Sequence, residues 1–287
     1  MVEKYKDYSN TWVIDSGRPW PILAIFGWIH WNEIAWIKAI NKIIEKSRNN
    51  EIKINTWKVI LAYWNEKAIK IKQRDSKYNM NRLFQSKYLN SDSDEYEIKR
   101  LKQLSDILKN SDYLLDIHSV SSESEPFLFA ENVNWELDIA SYLWLEKIIY
   151  WWGEINANTI IGWDSDSYMH FLWKTAFTVE CGNHNDKRAE DIACNTIRFF
   201  LAYLWMIDLF IKKTKVKLIK MDEIITTKTW KFVFVKWINN FSNIKKWDII
   251  WYDWKKEIMA KKDFIILLPN YEDTKVWEEI FYLGLIS

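Results

Sequence analysis

The chain has 287 residues, and its 40 basic and 39 acidic side chains give a formal charge of +1. This length suffices for one large domain or a large domain with a smaller one, and an apolar content of 49% excludes wholesale disorder. The balanced charge offers no electrostatic footprint for nucleic acid or an anionic membrane, so we expect a small-molecule partner.

Cysteine usage and hydropathy indicate a soluble protein of a reducing compartment. Cys181 and Cys194 are too few for a disulfide framework, and no CxxC pair indicates a structural zinc site. The first ten residues lack the apolar segment of a signal peptide. The most apolar stretch, residues 199–211, is too short to span a bilayer and contains Asp208. We therefore expect a cytoplasmic location.

Strands and helices are predicted to alternate over the first two thirds of the chain. Short apolar runs predict buried strands, and apolar residues three and four positions apart predict helices. The strands are expected at 21–26, 58–63, 113–117 and 176–180, and the helices at 34–46, 95–109, 138–150 and 187–211. This alternation is typical of an α/β sheet with parallel strands, which bind ligands at their carboxyl ends.

The last quarter of the chain has a different pattern. Short strands separated by turns are expected at 231–235, 248–251 and 263–268. We therefore predict a catalytic α/β domain at residues 1–213 and a small all-β C-terminal module at residues 214–287.

Tryptophan and glycine are present in inverted amounts. The chain contains 20 Trp but 6 Gly, whereas an average share of about 7% predicts roughly 20 glycines. Several Trp also occur where a tight turn needs a small residue. Trp28 and Trp31 flank His30, while Trp247 and Trp254 lie in contexts typical of β-turns.

One mechanism would explain the inversion. UGA is read as Trp in some genetic codes and as Gly in some uncultured bacterial lineages, so we hypothesise that the natural residue at most of these positions is glycine. The hypothesis predicts positive φ, exposed indoles or crowding at several of a set of eight tryptophans, namely Trp20, Trp28, Trp31, Trp64, Trp163, Trp173, Trp247 and Trp254.

Two histidines and a glutamate form a candidate metal site. His30 and Glu33 are three residues apart where a predicted strand turns into a helix, so both can face one point. His118 follows the predicted strand at 113–117. Two His and one carboxylate, with an open fourth position, are a catalytic zinc ligand set. The sequence therefore predicts that His30, Glu33 and His118 bind Zn²⁺.

Three further side chains suit a hydrolytic reaction. Glu180 ends a predicted strand and can take a proton from a metal-activated water and pass it to the leaving amine. Arg82, between apolar neighbours in a polar loop, suits a substrate carboxylate because guanidinium binds it through two hydrogen bonds. Arg74 could polarise the scissile carbonyl.

The opening motifs resemble those of the succinylglutamate desuccinylase/aspartoacylase family. With Trp read as Gly, residues 16–33 end in Gly-Gly-Ile-His-Gly-Asn-Glu, similar to the family's Gly-Gly-x-His-Gly-Asn-Glu. Read in the same way, residues 62–68 resemble its Gly-Asn-Pro-x-Ala motif, with Glu66 in place of Pro.

The remaining motifs follow in family order. Residues 79–84 resemble Asp-Leu-Asn-Arg-x-Phe, with Asn79 in place of Asp. Residues 116–119 resemble Asp-Leu-His-Thr/Ser, and residues 178–182 resemble the family's glutamate-containing strand end. The resemblance extends over nearly the whole chain.

The resemblance implies a fold and a reaction. The fold would be a zinc carboxypeptidase-like mixed sheet flanked by helices, followed by a small β module. The reaction would be hydrolysis of the amide bond of a small, carboxylated N-acyl amino acid. The implied roles are zinc ligation by His30, Glu33 and His118, general base catalysis by Glu180, carbonyl activation by Arg74, and carboxylate binding by Asn81 and Arg82. A second substrate-binding Arg of some members falls at His170.

Two other functions stay open at this point. A metallocarboxypeptidase-type peptidase would need an open groove, whereas a C-terminal module that caps the site favours a small substrate. A Trp-rich glycan-binding protein would present aromatic platforms on its surface and would have no use for the His/Glu set.

Overall fold

A large mixed sheet organises the chain. The computed structural model describes residues 2–18, 21–27, 35–71, 73, 75–131, 133–151, 163–229, 232–271 and 279–286. Its strands are β1 (Val2–Lys4), β2 (Thr11–Asp15), β3 (Ile22–Gly27), β4 (Lys58–Tyr63), β5 (Tyr113–Val120), β6 (Phe127–Ala130), β7 (Lys147–Tyr150), β8 (Thr175–Asn183), β9 (Lys217–Thr226), β10 (Phe232–Phe234), β11 (Asn243–Ile244), β12 (Ile249–Asp253), β13 (Lys256–Met259), β14 (Phe264–Leu267) and β15 (Glu279–Ile286). In the described residues twelve strands form one sheet, in the order β1-β2-β4-β3-β5-β8-β6-β7-β9-β15-β14-β11.

Helices cover both faces of this sheet. They are α1 (Ala35–Arg48), α2 (Glu66–Ile71), α3 (Ser86–Leu89), α4 (Tyr96–Asn110), α5 (Asn134–Ser141), α6 (Ser165–Phe171) and α7 (Ala189–Tyr203), with a 3₁₀ turn at Met80–Arg82. None of the described helices is long and apolar enough to cross a membrane.

The parallel strands β4, β3, β5 and β8 form the buried centre. Successive side chains of a strand point to opposite faces, so each strand contributes to two cores. On β3, Leu23 and Ile25 pack in the cluster that contains α1 and α7, whereas Ala24 and Phe26 pack in the cluster that contains α4. Burial on both faces explains why these strands are continuous apolar runs.

The C-terminal strands form a small β module. β9, β15, β14 and β11 pair antiparallel, and β10, β12 and β13 form a separate antiparallel sheet. Phe281 lies at the centre of their shared core. The predicted fold class is confirmed. β9 also pairs with β7 in parallel, so the large sheet continues into the module, and the boundary at residues 213 and 214 stays a prediction.

Two predicted helices were wrong in extent. Residues 138–150 do not form one helix, because α5 ends at Ser141 and Lys147–Tyr150 is the strand β7. Pairing with β6 and β9 buries that short apolar run. The helix expected at 187–211 ends at Tyr203. In each case a left-handed residue, Trp144 or Trp205, interrupts the helical backbone.

The tryptophan expectation is confirmed at several positions. Trp173, Trp247 and Trp254 have positive φ and exposed side chains. Trp64 instead packs edge-on against Phe26 and Phe84 in the core. Trp163 is half-buried beside Phe171, and Trp20, Trp28 and Trp31 lie outside the described residues.

Candidate active site

His118 and Glu180 occupy paired positions on the neighbouring parallel strands β5 and β8. Both are buried, with 5% and 9% of their surface exposed. The neighbouring residues Ile117 and Val179 pack in the core on the opposite face. The alternation of β5 and β8 therefore places both functional side chains on the face that carries α4 and α6.

Both strands run further than expected. His118 and Glu180 were expected at or just past strand ends, but β5 continues to Val120 and β8 to Asn183. The register shifts after His118, since Val120 pairs with Asn183. Gly182 has a φ of 97° in this β8 bulge, where a Cβ would meet Ser124 O at 3.2 Å. Bulges of this kind commonly redirect side chains beside active sites.

Asp116 orients the imidazole of His118. Asp116 is fully buried, and its Oδ2 lies 3.3 Å from His118 Nε2. The same oxygen accepts a hydrogen bond from Ser165 Oγ on α6. A carboxylate beside Nε2 favours the tautomer with the proton on that nitrogen, in which Nδ1 carries the lone pair. This is the usual arrangement of a metal-ligating histidine and its supporting carboxylate.

The predicted ligands His30 and Glu33 follow β3 in the sequence. β3 ends at Gly27, which pairs with Ile117 of β5, and the chain then continues towards His30 and Glu33. Those two residues and Arg74 lie outside the described residues. Their predicted roles therefore stay predictions.

Asn81 and Arg82 lie in the 3₁₀ turn. The turn is fixed by the side chain of Asn79, which accepts a hydrogen bond from Asn81 N at 3.0 Å. Asn81 Oδ1 is buried and has no hydrogen-bond partner among the described residues. Arg82 Nη1 donates to Asn81 O at 2.9 Å, and Nη2 lies 3.5 Å from Glu279 Oε1 at the start of β15.

The surroundings of Arg82 keep it charged. Burial lowers the pKa of Arg82, but the negative charge of Glu279, with smaller contributions from Tyr282 and Asp164, outweighs burial and raises it. Tyr282 donates a hydrogen bond to Glu279 Oε2. Burial, followed by the charge of Glu279, raises the pKa of Tyr282. No sequence pattern indicated Glu279 and Tyr282, because only the tertiary fold brings β15 to the turn.

His170 lies in a cluster of carboxylates. Its Nδ1 is 2.7 Å from Asp166 Oδ1 and 4.0 Å from Glu131 Oε1, and its Nε2 is 3.1 Å from Glu136 Oε1. Burial alone lowers the pKa of His170, but the charges and contacts of Asp166 and Glu136 raise it to about 11. The imidazole is therefore a cation at neutral pH. Thr178 Oγ1, two residues before Glu180, donates to Asp166 Oδ2 at 3.1 Å.

Three members of this cluster have donor atoms suited to a metal. One atom each of Glu131, Asp166 and His170 lie within 4.8 Å of one another. This set shares no residue with the predicted zinc ligands. The predicted role of His170 in substrate binding stays a prediction.

Comparisons with known proteins identify the family of this chain. The model of the succinylglutamate desuccinylase/aspartoacylase catalytic domain matches residues 19–207, which is more than half of the chain. The chain belongs to this family. The succinylglutamate desuccinylase/aspartoacylase family is one of deacylases, so the chain is a member of an enzyme family. The comparison with curated protein sequences found no match.

Solved structures show the family fold beyond the matched residues. The product-bound ectoine utilization protein EutE (DoeB) from Ruegeria pomeroyi has a TM-score of 0.76 at 15% identity, covering 99% of this chain and 93% of that protein. Succinylglutamate desuccinylase from Vibrio cholerae has a TM-score of 0.76 at 16% identity, covering 100% and 90%. The desuccinylase from Vibrio parahaemolyticus has a TM-score of 0.74 at 16% identity, covering 96% and 86%. At these identities the likeness shows the fold alone.

Proposed function

We propose that this chain is a Zn²⁺-dependent hydrolase that cleaves the amide bond of a small N-acyl amino acid. The observation that carries the proposal is the pairing of His118 with Glu180 on one buried face, with Asp116 behind the imidazole. Family membership supports the deacylase reaction.

The residues fit a zinc ion. His118 would hold it through Nδ1, and His30 and Glu33 would complete the ligand set, since both imidazole nitrogen and carboxylate oxygen are zinc ligands. Asp116 contributes a buried negative charge behind His118. When bound, the ion acts as a Lewis acid that polarises the scissile carbonyl and acidifies water.

Glu180 is proposed as the general base. Its carboxylate takes the proton of the attacking water and then delivers it to the leaving amine nitrogen, so that one group serves both proton transfers. The pairing of Glu180 with His118 on adjacent strands supports a base close to the proposed metal ligand. Arg74 would stabilise the negative charge that develops on the carbonyl oxygen.

Asn81 and Arg82 are proposed to bind the substrate, with Arg82 and the side-chain NH2 of Asn81 donating to its carboxylate. Arg82 is a half-buried cation whose contact with Glu279 is 3.5 Å long, so a carboxylate with better geometry could share its guanidinium. The buried Oδ1 of Asn81 would accept a hydrogen bond from the substrate amide. His170 is proposed to contribute to binding of the same substrate.

A substrate panel tests this function. The zinc-loaded protein would be assayed with N-acetyl and N-succinyl amino acids, matched amides without a carboxylate, and peptides. We expect turnover of carboxylated N-acyl amino acids and slow turnover of the uncharged amides. Preferential release of C-terminal residues from peptides would instead indicate a carboxypeptidase. Binding of glycans without any hydrolysis would indicate the glycan-binding alternative.

A further inference from the structure

Seven tryptophans hold a backbone conformation that favours glycine. Their φ values range from 57° to 77°, at Trp57, Trp144, Trp151, Trp173, Trp205, Trp247 and Trp254. Among the described residues, twelve non-glycine residues have positive φ, and seven of them are Trp. Positive φ brings the Cβ of an L residue against its own backbone, so Gly adopts it freely and Asn occasionally.

Trp205 occupies the glycine position of a helix end. At the end of α7, Trp205 N–H donates to Ala202 O at 3.0 Å, and Met206 N–H donates to Leu201 O at 2.8 Å. This pair of hydrogen bonds defines a Schellman motif, in which the residue after the C-cap is left-handed and usually Gly. Trp205 has a φ of 57° at that position and an exposed fraction of 84%.

The same motif ends α6. Trp173 N–H donates to His170 O at 2.9 Å, and Lys174 N–H donates to Met169 O at 3.0 Å. Trp173 has a φ of 60° and is 96% exposed. At the end of α1 the equivalent residue is Asn50, with a φ of 58°, which is the other residue that this motif accepts.

Trp254 and Trp247 occupy the glycine positions of two β-turns. Asp253 pairs with Lys256, so Trp254 and Lys255 form a two-residue hairpin loop. Trp254 alone of the two has positive φ, which defines a type II′ turn with Gly at its first central position.

The turn at Trp247 precedes this hairpin. Asp248 N–H donates to Lys245 O at 3.0 Å, and Trp247, the third residue of that turn, has a φ of 77°. This is a type II turn, which requires Gly or Asn at the third position. An indole there gains no burial, since Trp247 is 66% exposed.

We propose that glycine is the residue at these seven positions in the functional protein, and that UGA, decoded as glycine, specifies it. Four independent motifs place Trp where their hydrogen bonds call for Gly, whereas a surface selected for aromatic contacts would place Trp at ordinary strand or helix positions. The proposal concerns the residues themselves and does not depend on the zinc reaction.

Peptide mass spectrometry of the protein from its natural source tests the proposal. Trypsin cleaves after Lys246 and Lys255, which releases residues 247–255 with Trp247 and Trp254 in one peptide. We expect its mass and fragments to show Gly at both positions. Trp at either position would overturn the proposal.

Recombinant variants give a second test. A chain with Gly at all seven positions would be compared with the chain that has Trp at all seven and with a chain that has Ala at all seven. We expect the Gly chain to melt highest, because Ala removes the indole but not the cost of positive φ. An Ala chain that melts at the same temperature as the Gly chain would contradict the proposal. The comparison of the Gly and Ala chains does not require the Trp chain to fold.

A second inference concerns Ser165. Its hydroxyl donates to Asp116 Oδ2, the oxygen that lies 3.3 Å from His118 Nε2. Ser165 and Asp116 have 1% and 0% of their surface exposed, so water cannot replace this hydrogen bond. We propose that Ser165 is a positioning residue that fixes the Asp116 carboxylate behind His118. This inference rests on the proposed zinc site.

Zinc affinity separates this role from a merely structural one. We expect Ser165→Ala to raise the Kd for Zn²⁺ by about 10-fold, the lower end of the effect of outer-sphere partners, and Ser165→Thr to restore it. Ser111→Ala is the control, because Ser111 is equally buried but donates to the backbone oxygen of Ile107. Unchanged affinity in Ser165→Ala would overturn the positioning role, whereas a parent chain without zinc affinity would overturn the proposed function itself.

Discussion

Arg82 Nη2 lies 3.5 Å from Glu279 Oε1, and this contact joins the 3₁₀ turn of the catalytic domain to the first residue of β15. The C-terminal module therefore reaches the guanidinium that is proposed to bind the substrate. This contact supports the proposal of a small N-acyl amino acid over a peptide, because a module at this position would limit the space for a long substrate.

Removal of the Arg82 guanidinium should weaken substrate binding more than chemistry. We expect Arg82→Ala to raise KM for a carboxylated substrate by about 10- to 100-fold, since a charged hydrogen bond contributes about 1.5–3 kcal/mol, with a smaller change in kcat. Steady-state kinetics would measure both. Arg188→Ala is the control, because Arg188 pairs with Asp186 on the surface. An equal effect on an amide without a carboxylate would contradict the assigned role.

The carboxylate behind His118 should strengthen metal binding. We expect Asp116→Asn to raise the Kd for Zn²⁺ by about 10- to 100-fold, because Asn keeps the shape but loses the charge that polarises the imidazole. Competition with a chelator would measure the Kd. Asp186→Asn, which alters the ion pair with Arg188, should leave the Kd for Zn²⁺ unchanged. Equal affinities in the two variants would exclude Asp116 from the site.

The His170 cluster should make stability depend on pH. The folded-state pKa of His170 is raised from 6.5 to about 11, so the folded state holds a proton that the unfolded state releases above pH 6.5. The stabilising contribution is therefore complete below about pH 6.5 and is lost as pH rises towards 11. Burial also raises the pKa of Asp166, to about 7, and this shift has the same sign.

Melting temperatures of the parent and His170→Gln would test this dependence. We expect the melting temperature of the parent to exceed that of His170→Gln by the largest margin near pH 6. The margin should become smaller at about pH 8 and smaller again at about pH 10. A difference in melting temperature that grows as pH rises would show that His170 is neutral in the folded state.

The sequence predicted the centre of the fold better than its edges. Residues 58–63 coincide with β4, because a strand buried on both faces is an unbroken apolar run. Residues 138–150 have a similar density of apolar side chains, and only the pairing of β7 with β6 and β9 reveals a strand there. Periodicity cannot separate a short buried strand from a buried helix.

The candidate site also contains residues that the sequence predicted and residues that only the tertiary fold reveals. His118 and Glu180 were predicted from short local motifs, although β5 and β8 continue beyond them. The partners of His170 could not be predicted from local sequence, because Glu131 and Glu136 lie more than 30 residues before it in the chain. The positive φ values at Trp positions were expected from composition and turn context, yet Trp205 and Trp57 were not among the positions named beforehand. Helix ends depend on tertiary packing as well as on local sequence.

Glu180 is proposed as the general base beside a zinc ion held by His118. The most direct test is to measure the zinc content and kcat of Glu180→Gln together, with Glu190→Gln as the control, because Glu190 on α7 forms a partly exposed ion pair with Lys42. We predict that Glu180→Gln retains the zinc of the parent and loses about 100-fold or more in kcat. Retained zinc with undiminished kcat would contradict the account.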